Sequence, residues 1–165
     1  MARRIYFFAA IVFFPILSMG TPSSAQVLDA FTGMQIPNAL ACQAPHAGNG
    51  GLVPARQILG PSPHFAHSFW APDGWPSIVY GQGYFQIPPL MQIFTSAHEC
   101  GHLVNASANE PAANCFALQT LGLTPSQKLF IAQFHQNLGP LPPQYGGSGM
   151  QFWQMTRQLC PQFTD

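Results

Sequence analysis

Charge is what this sequence has least of: aspartate, glutamate, lysine and arginine make up 6% of its 165 residues. Arg3 and Arg4 stand at the start. The remainder carries Arg56, Lys128 and Arg157 against Asp29, Asp73, Glu99, Glu110 and Asp165, a net charge near −2 with neutral histidines. No basic residues cluster, which argues against nucleic acid as a partner. So sparse a charge also gives little long-range steering of a substrate, and Gln, Asn, Ser and His must supply the polar surface. No two cysteines are spaced C-x-x-C, which disfavours a zinc site built from them. There is no internal repeat and no shift of composition that would mark a second domain.

Long apolar runs are also missing after the first 25 residues. Residues 5–17 are almost wholly apolar, follow the two arginines and lead into "TPSSAQ", where Ser23 and Ala25 give small-x-small spacing before Gln26. That pattern predicts a signal peptide over residues 1–25 and a single mature domain over 26–165, secreted or periplasmic. The run is short for a membrane span and contains Pro15, so no stable span is expected after cleavage. Export to an oxidising compartment predicts two disulfides from Cys42, Cys100, Cys115 and Cys160.

Residues 26–62, rich in Pro, Gly, Ala and Gln, predict irregular structure with one short helix. "HFAHSFWAPDGWPSIVYG" predicts two strands, over about 65–70 and 77–81, on either side of the turn "APDGWP". Pro88 and Pro89 suit a helix start, and Leu90, Ile93, Phe94, Ala97, Gly101 and Val104 keep helical rhythm after them. A second helix is expected from Asn109 as cap to Gly122, and a third from Thr124 and Pro125 to about Leu138. "MQFWQMTRQLC" reads as a closing helix.

The chemistry concentrates in "TSAHECGHLVNASANEPAANCF", which contains both glutamates of the chain. On a helix at about 100° per residue, His102 lies nearly above His98 and Glu99 leans over the open side between them. Two imidazoles can then reach one ion while the carboxylate serves its water, the mechanical basis of H-E-x-x-H. A catalytic zinc site needs a third protein ligand. Asn105 and Ala108 occupy the positions where one class of such sites has glycine and a third histidine. Glu110, the remaining glutamate, sits at a helix start after the turn "NASA", from which it could fold back over the imidazoles. Asn114 shares its helical face and could hydrogen-bond a ligand.

"HECGH" followed by "NEPAAN" resembles the gluzincin zinc metallopeptidases, whose pattern is H-E-x-x-H with a downstream E-x-x-x-D; Asn114 stands where that family usually has aspartate. Residues 76–118 also resemble small exported bacterial HECGH proteins. The resemblance implies one zinc ion on His98, His102 and Glu110, Glu99 as general base, and a peptide or protein substrate. It further implies an α+β, minimal zincin-like fold with a short β-sheet, an active-site helix and a helical C-terminal half. The strand before the active helix, "SIVYG", would receive the substrate as an added strand. Such hydrolysis needs a second oxyanion donor, and Tyr80, Tyr84, His135, Tyr145 and Arg157 are all eligible. Two other functions stay open on the same residues: a non-catalytic zinc-stabilised binding module of the cell envelope, and an amidase acting on cell-wall peptides.

Cys100 falls near 200° on the wheel, behind the imidazoles, so it is not a ligand. Cys115 is likewise off the Glu110 face. A Cys100–Cys115 bridge would clamp the two ligand helices and leave Cys42–Cys160. His64 and His67 would point to opposite faces of a strand, which argues against a second metal pair.

Overall fold

A computed structural model describes residues 26–143 and 147–161. Residues 1–25, on which the signal peptide is expected, and Tyr145 lie outside them. Among the described residues, no helix is long and apolar enough to cross a membrane.

The fold is of mixed α and β type. A two-stranded antiparallel hairpin joins β1 (Gln43–Pro45) to β2 (Leu52–Pro54). A three-stranded sheet follows from β3 (Arg56–Leu59), β4 (Ala66–Trp70) and β5 (Pro76–Tyr80). Its order is β3-β5-β4, with β3 parallel and β4 antiparallel to the central strand. The helices are α1 (Pro89–Val104), α2 (Glu110–Leu121), α3 (Pro125–Asn137) and α4 (Gly149–Leu159).

Residues 26–62 are mostly irregular, as expected, but carry the three short strands β1, β2 and β3 where one short helix was expected. The strands are only three or four residues long, so none carries a periodic signal of its own. Their partners stabilise them: His46 N–H donates to Gly51 O across the hairpin turn, and β3 pairs with β5 some twenty residues downstream. Every residue of β5 is buried, as a central strand covered on both faces requires.

A buried carboxylate organises the start of the domain. Asp29 Oδ1 accepts from the backbone N–H of Phe31 (3.1 Å) and Thr32 (2.6 Å) and from Thr32 Oγ1 (2.6 Å). Its Oδ2 accepts from Leu59 N–H at the end of β3 (2.6 Å). Burial alone would raise its pKa, but the hydrogen bonds outweigh that and hold it at about 2. A lowered folded pKa means stability that is complete above the ordinary carboxylate range and lost as pH falls through about 2. Asp29→Ala is expected to cost about 2 kcal/mol at neutral pH by leaving buried donors unpaired. Urea unfolding should show wild type and variant converging as the pH approaches 2.

The core lies between the sheet and α1. Ile78 and Tyr80 share one cluster with Met91, Phe94, Ala97 and Leu103 of α1, to which the other helices add Ala117, Leu118, Ile131 and Trp153. Tyr80 fixes the sheet to α1, its hydroxyl lying 2.6 Å from Gln57 Oε1 and 2.9 Å from Ser96 Oγ.

Candidate metal centre

The site grows from how α1 ends and α2 begins. Ala106 N–H donates to Leu103 O and Ser107 N–H to His102 O. This is a Schellman closure with Ala106 in the left-handed region (φ 47°). The chain reverses at once, and Asn109 caps α2 by accepting from Ala112 N–H at 2.9 Å. Glu110 is thereby the first helical residue, turned back over α1.

Gly101 sets the separation of the two helices. A Cβ there would stand 3.1 Å from the Cα and O of Ala113 and the Cβ of Phe116. Gly101→Val should push α2 outward and withdraw Glu110, at an overpacking cost worth roughly tenfold in metal affinity. Competition with a chromophoric chelator would measure it.

Three ligand atoms converge. His98 Nε2 is 3.1 Å from His102 Nε2 and 3.1 Å from Glu110 Oε2, and His102 Nε2 is 3.3 Å from the same oxygen. Their side chains are 12–14% exposed, so the cluster is largely but not wholly enclosed. The outer nitrogens explain why the atoms meet. His98 Nδ1 lies 2.8 Å from Asn114 Oδ1, and His102 Nδ1 lies 2.8 Å from Ser107 O. Asn114 Nδ2 donates to Thr156 Oγ1 (2.8 Å), which fixes its Oδ1 as the acceptor. Both Nδ1 atoms therefore carry protons, and both Nε2 atoms present lone pairs.

Two lone pairs and a carboxylate oxygen at such distances need a cation between them, a proton or a metal ion. The donor set suits a metal, and His98, His102 and Glu110 could hold one ion. Burial disfavours charge on His102, but Glu110 and Ser107 O more than compensate and raise its pKa. Burial likewise works against the Glu110 carboxylate, while His102 and His98 pull its pKa down to about 2.

Glu99 is buried on α1, and its Oε2 accepts from Ser68 Oγ of β4 at 2.8 Å. It borders a cleft of about 370 Å³ that also reaches His98, Phe94, Phe134 and His135.

The structure rearranges several other candidates. The disulfides are Cys42–Cys100 and Cys115–Cys160, each with Cα atoms 5.7 Å apart, not Cys100–Cys115 and Cys42–Cys160. α2 meets α1 across Gly101 and the ligand faces, so cysteines behind those faces point apart. Cys100 reaches the segment before β1, and Cys115 reaches the end of α4. Two disulfides fit an oxidising, extracytoplasmic environment.

Tyr80 and Tyr84 are not available as oxyanion donors. Both are buried, with hydroxyls bonded inside the core; Tyr84 donates to Pro37 O at 3.0 Å. Burial pushes both phenol pKa values upward. Arg157 is exposed on α4 and does not line the cleft. His135 does line it, but its Nδ1 is 2.9 Å from Ile131 O, so the nitrogen left over is an acceptor in the neutral ring. His64 precedes β4 and His67 lies on it, Nδ1 2.9 Å from Ser62 Oγ; neither belongs to the metal cluster.

Sequence reasoning missed Ser68, Ser107 and Thr156. Ser68 and Thr156 had a signal, as polar residues at inward positions of an alternating strand and an amphipathic helix. Ser107 acts through its carbonyl, which no side-chain pattern reveals. Compared with known families, curated proteins and solved structures, the chain matches no family model, no curated protein and no solved structure.

Proposed function

We propose that this protein is an exported zinc-dependent peptidase with a minimal zincin-like domain of gluzincin type. One observation carries the reading: the two Nε2 atoms and Glu110 Oε2 form a triangle of 3.1, 3.1 and 3.3 Å. A tetrahedron with edges of that length has a centre-to-corner distance of about 1.9 Å, close to the zinc–nitrogen and zinc–oxygen bond lengths of about 2.0–2.2 Å. Two imidazoles and one carboxylate make the ligand set of a catalytic rather than a structural zinc site.

Zinc held there would supply a Lewis acid that brings the pKa of a water towards neutrality and polarises a carbonyl. His98, His102 and Glu110 would hold it, and Asn114 and Ser107 O keep both imidazoles in the binding tautomer. Glu99 takes the proton of the attacking water and returns it to the leaving amine. Ser68 holds Oε2 of that carboxylate and leaves Oε1 to move the proton.

The substrate strand cannot add to "SIVYG", because β5 is paired on both edges. β4 is the antiparallel edge, and Gly81 N–H donates to Phe65 O at 3.0 Å. Alternation along the ladder then turns the N–H and C=O of Ala66, Ser68 and Trp70 outward. An extended peptide pairing there would run beside Glu99.

The test is cleavage of a mixed peptide library by the purified protein, read by mass spectrometry. Cleavage that a chelator stops and zinc restores is the expected result. Zinc binding with no cleavage would instead favour the non-catalytic binding module.

A further inference from the structure

The cleft beside the metal centre has aromatic walls, and one of the polar side chains that line it has a nitrogen with no partner among the described residues. His135 is 7% exposed, with ring centroids 5.6 Å from Phe94, 5.2 Å from Phe152 and 5.9 Å from Trp153. Ile131 O can only accept, so the 2.9 Å contact places the imidazole proton on Nδ1 and a lone pair on Nε2. Nε2 has no hydrogen-bond partner among the described residues. Nor is it sealed: the only unpartnered and fully enclosed side-chain polar atom among those residues is Trp153 Nε1. Nε2 therefore keeps some exposure, and the cleft is the open space that His135 lines. Burial lowers the pKa of the ring to about 4, which keeps it a neutral acceptor in ordinary buffers.

We propose that this cleft binds an aromatic side chain bearing its own hydrogen-bond donor, tyrosine or tryptophan of a peptide, and that His135 Nε2 is the acceptor that selects it. The phenyl walls favour a ring of any kind. A phenylalanine would expel water from Nε2 and offer nothing in return, whereas a phenol O–H or indole N–H replaces the lost bond. An acidic side chain would bring another acceptor against the first. A lysine or arginine would leave water among phenyl rings with only a neutral acceptor in exchange. The volume of about 370 Å³ lies at the lower end of the roughly 300–1,000 Å³ of small-molecule sites. The inference rests on the peptidase reading only in treating the bound group as part of a substrate.

Binding can be measured without hydrolysis. N-acetyl-tyrosinamide, N-acetyl-tryptophanamide and N-acetyl-phenylalaninamide would be titrated calorimetrically into the full protein. The tyrosine and tryptophan probes should bind about tenfold more tightly than the phenylalanine probe. His135→Phe should abolish that preference, and His135→Gln, which keeps an acceptor, should retain part of it. In the wild type, the ¹⁵N shift of His135 Nε2 should keep a hydrogen-bonded value with the tyrosine probe and move to that of a nitrogen without a donor with the phenylalanine probe, a readout that does not depend on any variant folding. Equal binding of the three probes, binding of none, or a preference that survives in folded His135→Phe would overturn the proposal. Preference without peptide cleavage would uphold it and remove the peptidase reading; cleavage without preference would do the reverse.

Discussion

Glu99→Gln is expected to lower the rate of peptide cleavage by roughly 10²–10⁴-fold while metal content and thermal stability stay at wild-type values. The substitution keeps size and shape. The glutamine carbonyl can still accept from Ser68 Oγ, so the bond that ties β4 to α1 survives. What it cannot do is take a proton from water. Loss of rate with retained metal separates a proton-transfer role from a structural one. Steady-state kinetics on one cleaved peptide, with zinc analysis of the same samples, would show it, and an unchanged rate would remove Glu99 from the mechanism.

Glu110→Ala is expected to weaken metal binding far more than Asn114→Ala. Asn114 touches no ion. It fixes the proton of His98 on Nδ1, and losing such an outer partner typically costs about 10–100-fold in affinity. Glu110 supplies both a ligand atom and the negative charge of the cluster, so its loss should exceed that range. Chelator competition on both variants would rank them. Equal losses, or a larger loss in Asn114→Ala, would mean that Glu110 is not a ligand.

The residues of this centre were legible in the sequence because they are local. His98, Glu99 and His102 lie within two turns of one helix, and Asn109 announces the start of the next helix one residue before Glu110. Their local periodicity was enough to suggest a shared site. The disulfides were not legible for the opposite reason. The helical wheel places Cys100 and Cys115 behind their ligand faces, but which neighbour each back face meets depends on how four elements pack. The central place of β5 likewise depends on β3, a strand of four residues whose partner lies well downstream. Tyr80 and Tyr84 look like free phenols until the core closes over them. His135 reads as one more helical histidine until its Nδ1 is seen to be committed to Ile131 O.

The most direct test of the metal centre is elemental analysis of the protein after dialysis against a weak chelator. It should be run on the wild type and on a variant with His98, His102 and Glu110 all replaced by alanine. Stoichiometric zinc in the wild type and none in the variant, with folding checked by circular dichroism, is the expected result. A wild type that binds no zinc when supplied with excess, or a variant that keeps it, would contradict the site.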